Sequence, residues 1–343
     1  MAVEPGVDLD ALHELTRLAD YVVPFAIRVA CDLGVADHLA EGPRTVEDLA
    51  GATGVHAPSL HRLLRALAGE GVFAETEPGV FGLTQLAQPL LTAHPLSLRA
   101  AYPLLPADIN ALARIDWCLR DGRAAFDRVY GEDYWSHLSR HPDQSAAVDA
   151  WMASLNRVHL RTVASAHDWG AARTVVDVGG GNGAFLAGLL ARHHGLRGVL
   201  LDLPHVVAAA PGVLAEAGVA DRCEIVPGSF FEHVPAGADL YVLKTVLPGW
   251  PDPQARSILR TIRAAMPATG TLVLLEAVIA DDEKFDVAKL VDVHTLVVSG
   301  GRHRDRRELA ALLAEAGFDL RRVVPTPTLT LVEAIPTGRE STG

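Results

Sequence analysis

The chain has 343 residues and a mass of 36.5 kDa, with 49% hydrophobic residues, 21% charged residues and a formal charge of −12. That length suggests two domains or one with a large appendage, and the composition excludes collagen-like, disordered and disulfide-dense classes. An acidic surface repels phosphate backbones, so nucleic acid is not an expected partner. Cys31, Cys118 and Cys223 lie far apart without CxxC or Cys/His spacing. No metal is therefore expected, and a reducing cytosol is the expected compartment. The opening MAVEPGVDLD lacks an apolar signal core. No uncharged apolar run reaches the ~20 residues that a membrane span needs, so no membrane partner is expected.

Residues 8–19 and 21–39 have apolar positions at helical spacing, with Pro24 in the first turn of the second helix, where a missing N–H matters little. Thr45 followed by Asp48 reads as an N-cap and its acidic partner. A short helix over 46–52 then turns at Gly54. A second helix over 58–69 carries Leu60, Leu63, Leu64 and Leu67, and residues 72–83 read as a hairpin turning at Glu77-Pro78-Gly79. Helix, turn, helix and hairpin make a winged helix, which can bind DNA. Residues 1–95, however, hold five arginines, no lysine and thirteen acidic residues, a balance of −8. Dimer contact suits such a segment better.

Residues 100–165 read as helical, with aromatic residues for a core and, at some positions, for stacking on a flat ligand. From Thr174 onward, apolar β-branched runs alternate with helices over 184–194, 206–218 and 253–266. That alternation indicates a parallel sheet covered on both faces. A further helix over 307–317 and a last strand over 329–334 follow. The expected organisation is a winged-helix dimerisation domain over 1–100, a helical linker to the substrate pocket over 101–170 and a Rossmann-like catalytic domain over 171–343.

The strongest local signal is the run from Val175 to Gly183, VVDVGGGNG, a buried strand entering four glycines among five residues. Glycine allows positive φ and close approach of a ligand to the backbone. The segment lacks GxGxxG spacing, because positions 179, 181 and 184 read Gly, Gly and Ala. Asp177 lies inside the strand, where a carboxylate can orient the loop and meet an ammonium. Asp202 ends the next strand and can accept both ribose hydroxyls, as in dinucleotide sites. Together these favour S-adenosylmethionine over NAD.

With VVDVGGGNGAF, LLDLP, GSFFEHVPAGADLYVLKTVL and GGRHRDRRELAALLAEAGF, the chain resembles the class I S-adenosylmethionine-dependent O-methyltransferases of the plant caffeate type. It is more similar still to bacterial relatives that tailor secondary metabolites, including anthracycline methyltransferases and hydroxylases. The resemblance spans about residues 10–335. It implies an α/β protein with a Rossmann-like S-adenosylmethionine-binding domain and an N-terminal all-helical or winged-helix dimerisation domain. It also implies a homodimer in which that domain closes part of the partner's pocket.

By the same resemblance, Gly179 and Gly181 face the methionine part of the cofactor, Asp202 binds ribose and Leu203 packs on adenine. Phe230 stacks on the adenine face, Ser229 stands where relatives have an acid, and Lys244 lies beside the cofactor. Met152 packs near the sulfonium. Pro248, Trp250, Trp151, Thr295 and Val298 are expected to line the pocket for an aromatic or polyketide-like substrate. Met152 and Phe230 suit an ordinary core role equally well.

The resemblance fails at the catalytic pair. Relatives continue the strand of Lys244 into Leu-His-Asp-Trp, whereas this chain has Leu247-Pro248-Gly249-Trp250. The acid that braces the base in relatives is replaced by His303. Proline cannot take a proton. Three readings stay open: methyl transfer through placement alone, proton removal by His303 or His294, or a non-methylating step such as hydroxylation, decarboxylation or a pericyclic reaction beside the positive sulfonium.

Overall fold

The structure, a computed structural model, describes residues 8–338. Most of the stretch read for a leader lies outside the described residues. The chain forms two compact units that divide after Leu104.

The first unit begins with α1 (Leu9–Leu18), α2 (Val22–Asp32) and α3 (Val35–His38). Asp8 caps α1 by accepting from the N–H groups of Asp10 and Ala11. The continuous helix expected over 21–39 is broken at Gly34, whose φ of +64° ends α2 and starts α3. Then come β1 (Arg44–Thr45), α4 (Val46–Thr53), α5 (Ala57–Gly69), β2 (Phe73–Glu77) and β3 (Val80–Leu83). Thr45 caps α4 by accepting from Asp48 N–H at 3.1 Å. The hairpin turns where the sequence places it, and β1 joins as a third strand in the order β1-β3-β2. Leu49, Leu60, Leu64, Leu67, Phe73 and Phe81 form its core.

The second unit opens with five helices, α6 (Pro106–Leu112), α7 (Ile115–Asp121), α8 (Ala125–Tyr130), α9 (Tyr134–Arg140) and α10 (Pro142–Val163). Beyond them lie β4 (Thr174–Val178), α11 (Ala184–Arg192), β5 (Arg197–Asp202), α12 (Ala210–Glu216), β6 (Cys223–Pro227), β7 (Leu240–Lys244), α13 (Asp252–Ala265) and β8 (Thr271–Glu276). The unit ends with α14 (Val287–Ser299), α15 (Arg306–Glu315), β9 (Phe318–Pro325) and β10 (Thr330–Pro336). Residues 105–170 share this unit with the sheet. Leu160 and Val163 of α10 lie in one apolar cluster with Val175, Phe185 and Leu189.

The strand order is β6-β5-β4-β7-β8-β10-β9. The first five strands are parallel, as their apolar runs imply. β10 runs antiparallel to both β8 and β9, so the sheet is mixed at one side. Separate apolar clusters cover its two faces.

Candidate functional site

The strand order reverses between β4 and β7. In an open parallel sheet, ligands bind in the crevice at the carboxyl ends of strands flanking such a reversal. The glycine loop leaves β4 there, and Lys244 ends β7. Thr245 follows with φ of +54°, an uncommon conformation for a β-branched residue and one that marks strain. Nothing in the sequence signalled it.

Gly179, Gly181 and Gly183 take φ of +70°, +64° and +81°, which side-chain-bearing residues adopt only with strain. Gly180 is required for space instead: a Cβ there would sit 2.5 Å from Asp177 Oδ2 and 2.5 Å from Leu200 Cδ1. A Cβ on Gly179 would sit 3.3 Å from Phe230 Cε1, so that ring borders the loop. Asp202 accepts from Gly181 N–H at 2.8 Å and from Leu203 N–H at 2.7 Å. Burial raises its pKa, and those two donors oppose the rise.

Asp177 is 1% exposed, and neither of its carboxyl oxygens has a hydrogen-bond partner. Burial pushes its carboxyl up to about 7, Lys244 pulls it down and Asp202 pushes it further up. Burial pushes Lys244 down to about 8 against the attraction of Asp177 and Glu276. Glu276, at the end of β8, is pushed up to about 8 by burial; Arg304, Lys244 and the N–H groups of Leu247 and Val246 oppose that. Neither Glu276 oxygen makes a hydrogen bond of ordinary geometry.

This donor set fits S-adenosylmethionine. Asp177 offers two buried, unused acceptors to a cation. Each Asp202 oxygen holds one donor and keeps a second lone pair for a hydroxyl. The glycines leave the backbone open to close approach.

The loop residues expected from the sequence thus meet in one place, with Phe230 against them. Ser229 Oγ accepts from Phe231 N–H at 3.3 Å and holds the turn. Leu203 is 37% exposed at the crevice. Met152 sits half-buried on α10 beside Trp151. Phe230, Phe231, Trp250 and Trp135 form an aromatic wall: Trp250 stacks on Trp135 at 6.0 Å and meets Phe231 edge-on at 4.8 Å and Phe230 edge-on at 6.1 Å.

Pro248 is buried in a tight turn over Leu247–Gly249. Arg304, 5% exposed, clamps that turn by donating to the carbonyls of Leu247 (3.2 Å) and Trp250 (3.0 Å) while pairing with Asp252 at 2.8 Å. The turn therefore keeps its place without a histidine in it. Arg304 escaped the sequence reading because it is one of several arginines in a charged run.

His303 is 7% exposed. Its ring Nδ1–H donates to the Ala277 carbonyl at 3.0 Å, and its backbone N–H donates to Asp292 at 2.6 Å. Burial lowers its pKa, against the Ala277 carbonyl and the Asp292 charge, which favour the protonated ring. His294, on α14, lies 3.2 Å from Asp108 and edge-on to Trp151 at 6.5 Å. Thr295 turns its hydroxyl back to the Val291 carbonyl, and Val298 is buried among Phe126, Tyr134 and Leu138. Although the sequence suggests no metal, Glu132, His137 and His141 bring ligand-type atoms within 4.8 Å of one another. Glu132 already accepts from His137 at 2.9 Å and pairs with Arg140.

Comparison with known proteins matches a family model for the O-methyltransferase domain over residues 113–319 and one for the O-methyltransferase dimerisation domain over residues 16–93. The chain is 40% identical to phenazine O-methyltransferase PhzM of Lysobacter antibioticus, over 94% of this chain and 95% of that one. It is 36% identical to aclacinomycin 10-hydroxylase RdmB of Streptomyces purpurascens, over 91% of this chain and 85% of that one. Its fold matches NcsB1, an O-methyltransferase from neocarzinostatin biosynthesis, with a TM-score of 0.81 and 36% identity over 97% of this chain and 99% of that one. NcsB1 was solved in complex with S-adenosylmethionine and 2-hydroxy-5-methyl naphthoic acid.

Proposed function

Because this chain belongs to the O-methyltransferase family, we propose that it methylates a hydroxyl of an aromatic secondary metabolite, with S-adenosylmethionine as donor. When bound, that donor supplies an electrophilic methyl group on a positively charged sulfur. The observation that carries the reading is the aromatic wall. Phe230 borders Gly179 of the donor loop and touches Trp250, the residue after the Pro248 turn. One wall therefore serves both the donor and a flat acceptor. Asp202 and the loop glycines hold the donor, and Asp177 faces its cationic end. Pro248 and Trp250 give the acceptor a rigid apolar surface that excludes water, with Trp151 and the His294 helix as its further boundary.

The test is product analysis with methyl-labelled S-adenosylmethionine and hydroxynaphthoic acids of the kind bound by NcsB1. Label in an aryl methyl ether is the expected result. Converted product without label, beside intact donor, would place the protein with the hydroxylase relative instead.

The protein works as a homodimer. α1 and the start of α2 leave Leu12, Leu15, Leu18, Tyr21 and Val22 each more than half exposed. An apolar stripe of that size on a dimerisation domain needs a partner. Light scattering at micromolar concentration is expected to give about twice the 36.5 kDa chain mass, with an interface above about 2,000 Å². A monomer would contradict this. The free cysteines suit a cytosolic enzyme. None of the described helices is long and apolar enough to cross a membrane.

A further inference from the structure

We propose that Asp108 and His294 form the proton-accepting pair of this enzyme, in place of the base that the Pro248 turn lacks. The proposal rests on methyl transfer to oxygen. Asp108 lies on α6, is 5% exposed, and its Oδ2 is 3.2 Å from His294 Nε2. A carboxylate only accepts, so Nε2 carries the hydrogen and Nδ1 presents its lone pair. No hydrogen bond to Nδ1 occurs among the described residues. The side chain of His294 is 32% exposed, while that of its partner is 7% exposed. A sunken acid thus orients an accessible imidazole, the arrangement a general base requires.

Position supports the same role. α14 packs against the Leu247–Gly249 turn, so His294 shares a helix that borders Pro248. Trp151, expected at the acceptor, meets the His294 ring edge-on. His303, the other candidate, is deeply buried with Nδ1 committed to Ala277. On the neighbouring elements, Arg128 of α8 pairs with Asp121, Arg120 of α7 with Asp116 and Lys289 of α14 with Asp282, while Asp292 of α14 accepts from the His303 N–H and Asp127 of α8 is exposed. Asp108 is the charged group within hydrogen-bond distance of the His294 ring.

In the step itself, the acceptor O–H bond breaks and its proton goes to Nδ1. The acceptor oxygen keeps the electron pair and uses it to bond the methyl carbon. The methyl–sulfur bond breaks, its pair stays on sulfur, and the sulfur becomes a neutral thioether. Imidazolium beside Asp108 then returns its proton to water. His294 is the catalytic residue and Asp108 a positioning residue.

Two acceptors test this: 1,4-dihydroxy-2-naphthoic acid, and a nitro-substituted naphthol whose hydroxyl is already ionised at assay pH. His294→Ala and His294→Gln should lower turnover of the first about 10²-fold and of the second much less. Asp108→Asn should likewise lower turnover of the first acceptor while largely sparing the second, and S-adenosylmethionine affinity should be unchanged. Equal losses on both acceptors, or no loss on either, would overturn the pair while leaving methyl transfer standing. If the wild type labels neither acceptor, methyl transfer to oxygen fails, and the pair fails with it.

Discussion

Asp202→Ala is expected to weaken S-adenosylmethionine binding by roughly 10²- to 10⁴-fold in calorimetry. The side chain would give two charge-assisted hydrogen bonds to the ribose, each worth about 1.5 to 3 kcal/mol, and each 1.4 kcal/mol is about tenfold in affinity. The same carboxylate also holds Gly181 N–H and Leu203 N–H. Alanine therefore removes the ribose acceptors and frees the loop that should meet the methionine part. Asp202→Asn keeps one acceptor oxygen and should fall between alanine and wild type. Undiminished affinity in Asp202→Ala would remove the cofactor assignment of this crevice.

Much of that crevice was legible because its parts are local. A strand, four glycines and a carboxylate at the next strand end stand within 30 residues of one another. The departure at Pro248 was also legible, since Lys244, Leu247 and Trp250 fix the register around it. What could not be read is whatever depends on distant partners. Asp108 and His294 are 186 residues apart, and no spacing rule links an acid on a short helix to a histidine so far away. Arg304 is hidden for a different reason: burial separates it from its charged neighbours, and charge alone does not show burial.

The fold errs in the same pattern. Apolar periodicity runs straight through residues 21–39, so it does not register the left-handed Gly34, where a Cβ would also press on Arg99 at 3.0 Å. β9 does not stand out in the sequence because it is an edge strand, paired on one side only, and a charged one. Its sequence FDLRRVVP carries exposed charges at Asp319, Arg321 and Arg322, which protect an edge from pairing with other chains and erase the apolar run that revealed the central strands.

Gly301→Ala should be among the most damaging single-methyl changes in the catalytic unit. A Cβ there would lie 2.1 Å from the Pro248 carbonyl oxygen, 2.6 Å from Gly249 C and 2.7 Å from Trp250 N. All three are backbone atoms, so no side-chain rotation relieves the contact. The Leu247–Trp250 segment must move, yet Arg304 holds both of its ends. Overpacking of this kind costs about 1 to 3 kcal/mol, and more where the site cannot yield. A shift of about 1 Å in a substrate-positioning turn lowers rate by about 10²-fold. Gly300→Ala is the control. It carries a φ of +66° but meets only Ala124, at 3.7 Å, so it should lose about 1 to 2 kcal/mol from backbone strain alone. Thermal melts of the two variants, with turnover and S-adenosylmethionine affinity, separate the effects. Gly301→Ala should melt lower and turn over far more slowly, while keeping donor affinity through Asp202 and the glycine loop. If the two variants melt and turn over alike, the close approach of Gly301 to the Pro248 turn does not hold that turn in place.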